Sequence, residues 1–372
     1  MTRKKLVLIR PGYHELDHQF AYWMTKKGFE VVLLAPEQAF QQNRTLKNRI
    51  TNYQIEKYRT INSRFFSDFP VGFNLWSKIK KIKPDIINSG EDYQFSTWLG
   101  YLYAKKYNVK FIILMDRYLP PRNFLIRLFF KLLDIIFINK ILRDSSLIIC
   151  HSSESLKYLR SKIDKNSVNS VFLPIGVDRH KFYPLPYKRR EDVSLKIISV
   201  GRLIEQKNYP TLIKAITYLI KKKNKRLSLT IIGSGILRDY LKRMIKNLQM
   251  TQAIRLIFHV DHDNLVNIIN EHNLFILSSK RESMGAVVLE AMACGLPVIV
   301  SDAGGMKDFV QEGKNGFVFK QGSYLDLAEK IEIFLNDRNK LKIFGDYSLK
   351  LVKERFNNQI LFDQYFKIFN EC

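Results

Sequence analysis

Cysteine is scarce. The chain carries three in 372 residues, Cys150, Cys294 and Cys372, too widely spaced for a disulfide framework or a thiolate metal cluster. They read as reduced thiols and point to a cytoplasmic protein. Apolar runs long and clean enough to cross a bilayer, roughly 20 residues, are also lacking. The stretch entered at Leu6 stops at Arg10-Pro11-Gly12, too short for the core of a signal peptide. Acidic residues are in deficit, with 35 Asp and Glu against 61 Lys and Arg and a net charge of +26. No cluster of His, Asp and Glu has metal-ligand spacing, so no metal is expected.

The charge is unevenly placed. Residues 1–250 hold 47 Lys and Arg against 19 Asp and Glu, whereas residues 251–372 hold 14 against 16. A one-sided basic field favours anionic partners: phosphorylated substrates, an acidic membrane surface or nucleic acid. The most concentrated run, Lys221–Arg226, leads directly into an apolar strand and reads as a solvated helix end. Nucleic acid is therefore not the expected partner. An anionic membrane surface accounts for the same charge.

What is present is alternation. Short apolar runs at Lys5–Ile9, Val31–Ala35, Asp85–Asn88, Lys110–Met115, Leu147–Cys150 and Val171–Leu173 alternate with helical patterns such as Glu15–Lys27 and Tyr93–Tyr107. A second series runs through Lys196–Val200, Ser228–Ile232, Arg255–Phe258, Leu274–Leu277, Pro297–Val300 and Gly316–Phe319. Continuous apolar strands between helices predict parallel sheets covered on both faces. Residues 183–193, with Pro184, Pro186 and a charge run, read as a linker. The expectation is two similar α/β domains, 1–182 and 194–352, with 353–372 a helical segment that packs back over either domain, a crossing to the first being one alternative. Phe124–Leu142 patterns as an amphipathic helix with Arg127, Lys131 and Asp134 on one stripe. Its broad apolar face is expected to pack on its own domain, the alternative being a helix that dips into a membrane.

Chemistry concentrates in two places. Gly201-Arg202 closes the first strand of the second half and Lys207 follows in the next loop. Two cations at a strand end, ahead of a helix N-terminus, suit a pyrophosphate. Downstream, Glu282-Ser283-Met284-Gly285 leads into Ala286–Ala293, which carries Glu290. The acids are too far apart to share a proton. Separate contacts to hydroxyls of one extended ligand are the natural use, with the amides of Met284 and Gly285 beside an anion. Glu282 and Glu290 are expected on roughly the same face, with Gly285 in the helix's first turn.

Together with Leu173-Pro174-Ile175-Gly176, Ile232-Gly233-Ser234-Gly235 and the Gly304-Gly305 to Asn315-Gly316 stretch, these motifs closely resemble the retaining glycosyltransferases of the GT-B fold, family four. The resemblance covers nearly the whole chain and is most specific in residues 195–320. It implies two Rossmann-like domains facing each other across a cleft. It implies metal-independent hexosyl transfer from a UDP- or GDP-sugar to a glycan or lipid-linked acceptor, in polysaccharide or glycolipid biosynthesis, and the basic charge with the 124–142 helix adds a peripheral place at the inner face of a membrane. No cofactor beyond the nucleotide sugar is implied.

Residue by residue, the resemblance implies that Arg202 and Lys207 hold the donor diphosphate after Gly201. Glu282, with the amides of Met284 and Gly285, contacts the sugar, and Glu290 takes the ribose. Gly233 lies in the donor loop, and Val260, next to His259, borders the base. Gly12 lets a first-domain loop approach the donor. Where many relatives carry a histidine this chain has Asp116, which serves either in the active site or as a turn cap; His14 is the alternative. Two rivals share parts of the pattern, a nucleotide-sugar epimerase of the same fold and a basic nucleic-acid or membrane-binding protein. A dinucleotide-binding oxidoreductase fits less well, because Arg238 stands where a third glycine belongs.

Overall fold

The apolar runs become the strands of two parallel sheets. The structure, a computed structural model, describes residues 3–12, 15–42, 51–61, 71–116, 128, 131–186 and 194–371. The first sheet is built from β1 (Lys5–Ile9), β2 (Glu30–Pro36), β3 (Gln54–Tyr58), β6 (Ile86–Gly90), β7 (Lys110–Met115), β8 (Leu147–Cys150) and β9 (Ser170–Phe172). Its order is β3-β2-β1-β6-β7-β8-β9, every pairing parallel. β4 (Thr60–Ile61) and β5 (Val71–Gly72) form a separate antiparallel pair. The second sheet comprises β10 (Leu195–Val200), β11 (Leu227–Ile232), β12 (Ile254–Ile257), β13 (Leu274–Leu277), β14 (Val298–Ser301) and β15 (Gly316–Phe319). Its order is β12-β11-β10-β13-β14-β15, again parallel.

Burial explains why these runs are strands. Leu6, Val7, Leu8 and Ile9 of β1 are all completely buried, as are Leu274–Leu277 of β13. A strand covered on both faces needs no polar alternation, and each such side chain contributes about 2 kcal/mol of transfer free energy. In both sheets the chain winds outward from the first strand, then restarts on its other side, at β1/β6 and β10/β13. Loops leaving the carboxyl ends of the strands diverge there and open a crevice for ligands.

The chain divides into two compact units, Met1–Leu173 with Phe362–Cys372, and Pro174–Leu361. The boundary therefore falls ahead of the proline-rich segment. Tyr183 and Leu185 are bonded to the second unit: Asn270 Nδ2 donates to Tyr183 O at 3.0 Å and its Oδ1 accepts from Leu185 N at 2.9 Å. Residues 187–193 lie outside the described residues. The C-terminal helix Asn358–Glu371 begins in the second unit and finishes in the first. In the first unit Phe20 of the helix Glu15–Lys26 meets Tyr365 and Phe369 with ring centroids 5.1 and 5.8 Å apart.

Within 124–142, residue 128 and residues 131–142 are described. The helix buries Ile138, Ile141 and Leu142 but leaves Leu128, Leu132, Ile135 and Ile136 exposed. The expectation that its broad apolar face packs on its own domain thus fails for these four. Among the described residues no helix is long and apolar enough to cross a membrane.

Candidate functional site

Four neighbouring strands of the second sheet, β12-β11-β10-β13, deliver the expected donor-binding residues at their carboxyl ends. Val260 follows β12, Gly233 follows β11, Gly201, Arg202 and Lys207 follow β10, and Glu282, Met284, Gly285 and Glu290 follow β13. Residues remote in sequence thus share one edge, which straddles the β10/β13 switch point.

Backbone packing fixes the loop that carries Arg202. Gly233 has φ +154°, and a Cβ there would lie 1.9 Å from the carbonyl oxygen of Gly201. Only glycine lets the β11 loop press so close to the β10 loop. Leu203 N then donates to Ser234 O at 2.7 Å, and Leu237 N to Leu203 O at 3.0 Å. The Tyr209 hydroxyl donates to Gly201 O at 2.8 Å. Burial, reinforced by the Glu282 carboxylate, pushes the Tyr209 phenol far up, so it stays protonated and keeps donating. Gly233 therefore acts first as a backbone contact inside the site's scaffold. Arg202 is exposed, and its guanidinium has no protein partner among the described residues.

Lys207 and Glu282 meet. Lys207 Nζ forms an ion pair with Glu282 Oε2, which also accepts from Ser279 Oγ at 3.1 Å. The two side chains are only 13% and 16% exposed, so solvent screens the pair less than a surface bridge. The turn Glu205–Lys207 is held from β13: Ser278 Oγ donates to Lys207 O at 3.0 Å and Lys280 N to Gln206 O at 2.6 Å. The strand that leads to the acid thus also positions the base.

The helix Ala286–Ala293 has the expected bounds, but Gly285 stands just ahead of its first turn, not within it. Gly285 is its N-cap, with φ +72° and a Cβ position 2.9 Å from Met306 Cγ. Glu282 therefore lies in the preceding loop and shares no helical face with Glu290. The acids have different neighbours, since Glu290 Oε1 lies 3.3 Å from His262 Nε2. Both are held apart from each other, as separate contacts to one extended ligand require. The amides of Met284 and Gly285 make no backbone hydrogen bond among the described residues. They join the free N–H groups of the helix start, where an anion is favoured. Val260 is half-buried, and His259 beside it is almost fully exposed.

Gly12 and Asp116 belong to the first unit, at the carboxyl ends of β1 and β7. Gly12 follows Arg10, a buried guanidinium that donates from Nε to Asp17 Oδ1 and from Nη2 to Asn88 Oδ1, both at 2.6 Å. Asp116 is paired with a side chain. Its Oδ1 lies 2.5 Å from Nδ1 of His151, which directly follows β8 and is buried. Tyr365 of the C-terminal helix packs on the His151 ring, centroids 6.4 Å apart. His151 and His262 escaped the sequence reading. Each stands at an element's edge, His151 just past a strand and His262 at the start of the helix His262–Asn270, and listing such positions would have found them. His14 and residues 117–121 lie outside the described residues. Among those residues no group of three or more His, Cys, Asp or Glu is arranged to hold a metal ion.

The family model for glycosyl transferases group 1 matches residues 188–351, and that for glycosyltransferase family 4 matches residues 18–181. An uncharacterised glycosyltransferase of Methanocaldococcus jannaschii is 24% identical, over 99% of this chain and 98% of that protein. The capsular polysaccharide biosynthesis glycosyltransferase CapM of Staphylococcus aureus is 27% identical over 59% of this chain and 60% of its own length, so the match spans less than two thirds of that relative. Among solved structures, sucrose-phosphate synthase from Thermosynechococcus elongatus superposes with TM-score 0.79 at 18% identity, covering 99% of both chains. HepE of Anabaena in complex with UDP gives 0.80 at 17% identity, covering 99% of this chain and 100% of that one. With both halves matched and two parallel-sheet units in place, the chain belongs to the GT-B glycosyltransferases of family 4 and is a glycosyltransferase.

Proposed function

We propose that the chain transfers a hexosyl group from a nucleotide sugar, UDP- or GDP-linked, to a glycan or lipid-linked acceptor, with retention of configuration and without a metal. The observation that carries this reading is the shared strand edge of exposed Arg202, the Lys207–Glu282 pair and the amides of Met284 and Gly285, which make no backbone hydrogen bond among the described residues. Arg202 and Lys207 bind the diphosphate and stabilise the charge that develops as it leaves. Glu282 and the amides address the sugar, and Glu290 takes ribose hydroxyls. Gly201 and Gly233 shape the loop under the phosphates, and Val260 borders the base. The acceptor hydroxyl arrives on the face from which the diphosphate departs, so no enzymic nucleophile is required. Gly12 and the Asp116–His151 pair serve from the first unit. The UDP named for HepE makes uridine donors the first to test. The capsular role named for CapM supports a glycan acceptor. The basic first 250 residues support peripheral work at an anionic, cytoplasmic membrane face.

A thermal-shift screen of UDP-, GDP- and ADP-sugars tests the donor site. One donor class should raise the melting temperature, and Arg202→Ala and Lys207→Ala should abolish the rise. Equal stabilisation of these variants and the parent would sink the diphosphate assignment. Activity unaffected by EDTA, and an α-linked product from an α-linked donor, are the expected signs of metal independence and retention. A donor altered without any acceptor would favour the epimerase.

A further inference from the structure

From Lys131 the chain is helical, passes through a π-turn at Asp134–Ile138 and ends as the α-helix Asn139–Asp144. A π-turn takes in an extra residue, and here it sets Ile135 and Ile136 side by side on the outside. Phe137 and Ile138 turn inward, and the Phe137 ring meets Trp98 with centroids 5.6 Å apart. Outside, Leu128, Leu132, Ile135 and Ile136 are 56%, 56%, 70% and 66% exposed. Four large aliphatic side chains open to water on one short stretch are a surface awaiting a partner.

The charges beside them say which partner. The stretch carries two acids, and each is tied to a cation elsewhere. Asp134 Oδ1 accepts from Lys162 Nζ at 2.7 Å, within a largely buried group that includes Asp92 and Tyr93. Asp144 Oδ2 accepts from Lys105 Nζ at 2.6 Å and from the Tyr101 hydroxyl, also at 2.6 Å. The cations Lys131, Lys140 and Arg143 are exposed and have no ion-pair partner among the described residues. The outer face therefore reads as an aliphatic stripe with exposed cations within it and beyond its C-terminal end. Aliphatic groups reach below the headgroups while flanking lysines and arginines stay among the phosphates. A second copy of this chain fits poorly, because self-pairing would set these cations against their own kind in a protein of net charge +26.

We infer that Leu128, Leu132, Ile135 and Ile136, flanked by Lys131, Lys140 and Arg143, form the face on which the protein docks to an anionic lipid bilayer. This rests on the peripheral reading above and adds to it a place, an orientation and a mode of contact. The helix lies in the interface without crossing it.

Flotation of the full chain with vesicles of equimolar phosphatidylcholine and phosphatidylglycerol, at low salt, is the test. The parent should float with these vesicles and far less with phosphatidylcholine alone. The triple variant Leu132→Ser, Ile135→Ser, Ile136→Ser should weaken partitioning about a hundredfold. Lys131→Gln, Lys140→Gln, Arg143→Gln should weaken it by a similar factor, about tenfold to a hundredfold. All six positions face water, so the melting temperature should hold. The control Lys221→Gln, Lys222→Gln, Lys223→Gln removes the same charge elsewhere and should float like the parent. If the parent ignores anionic vesicles, the peripheral reading fails and this inference with it. If the parent floats but the serine triple floats equally, or the control loses as much as the other lysine and arginine variant, the face is wrong while the peripheral reading stands. A parent that sediments as a dimer and becomes monomeric in the serine triple would give the face to a second copy instead.

Discussion

Gly233→Ala should damage the donor site without touching a ligand. A Cβ at this position lies 1.9 Å from Gly201 O, whereas a carbon and a carbonyl oxygen settle at about 3.3 Å. The β10 loop must retreat by roughly 1.4 Å to restore that spacing. The oxygen it would move accepts from the Tyr209 hydroxyl at 2.8 Å, and Gly201 N is itself bonded to Ile232 O at 2.9 Å. Weakening two such bonds costs about 1 kcal/mol each, and forcing alanine to the φ of +154° adds about 1–2 kcal/mol. A total of about 3–4 kcal/mol corresponds to a melting-temperature drop of roughly 10 °C for a unit of this size. Gly313→Ala is the control: its φ is +74° but nothing lies within 4 Å, so only backbone strain of about 1 kcal/mol is expected, or roughly 2–4 °C. Donor affinity, measured by calorimetry below both transitions, should collapse in Gly233→Ala and hold in Gly313→Ala. Equal melting temperatures for the two variants, or parental affinity in Gly233→Ala, would refute the claim that this close approach positions Arg202.

A double-mutant cycle on Lys207→Ala and Glu282→Ala should show coupling of about 1–3 kcal/mol in urea unfolding, because the pair is only 13% and 16% exposed; additive effects would mean that the ion pair contributes nothing. His272 is buried, with Nδ1 on Ile268 O at 2.7 Å and Nε2 on Thr230 Oγ1 at 2.9 Å, and burial holds its imidazole below the usual range. The unfolded chain takes up that proton near pH ~6.5. The stabilisation is therefore complete above that pH and is lost as pH falls towards the lower folded value. His272→Gln should flatten the decline in urea midpoint between about pH 7 and pH 5, and an unchanged slope would exclude His272 as its source. Cys150 is buried and its thiol is pushed up to about 12, first by burial and then by the Asp116 carboxylate. Iodoacetamide at about pH 8 should leave it unmodified in the native chain and alkylate it in urea; native labelling within minutes would contradict that burial.

The fold was legible because its strands are sealed on both faces. β1, β7, β8, β13 and β15 announce themselves as unbroken apolar runs, and their ends coincide with the runs in the sequence. β3 did not, because it is an edge strand. Its residues Gln54–Tyr58 run exposed, half-buried, half-buried, exposed, buried, and Glu56 reaches Lys78 at 2.8 Å, so charge interrupts the pattern that marks an inner strand. The division between the two units lies ahead of the proline-rich segment for a related reason. Pro184 and Pro186 announce irregular backbone, but irregular backbone can still be tied down, and here Asn270 does so with both ends of its amide. Composition signals a turn; only the partner decides whether it is a hinge. For the outer helix, periodicity set Leu132 and Ile136 against the domain, whereas both are exposed and Ile138, Ile141 and Leu142 are the residues buried.

The site's residue types were legible, whereas its pairings were not, and the pairings carry physical content. Each of the three acids expected to work lies against a basic side chain: Glu282 on Lys207, Glu290 beside His262, Asp116 on His151. A carboxylate in a half-buried loop without such a partner would bear a desolvation cost that favours moving out to water. Paired, it stays in place before any ligand arrives, and the loop needs little rearrangement when one does. Arg202 breaks the pattern, since it is exposed and has no protein partner among the described residues. Among the described residues, what the strand edge presents to an approaching molecule therefore includes the exposed Arg202 beside amides of Met284 and Gly285 that make no backbone hydrogen bond. Such an edge attracts an anion first, and the diphosphate of the proposed donor has the charge to answer it. A phosphate of the proposed donor held at Arg202 would also draw on the Lys207 ammonium, loosening it from Glu282 and freeing the carboxylate for a hydroxyl. Diphosphate and sugar recognition are then one coupled event. The free nucleoside diphosphate and the intact donor should accordingly respond differently to Glu282→Gln, with the donor losing more affinity than the diphosphate. Equal losses would leave Glu282 as no more than a support for Lys207.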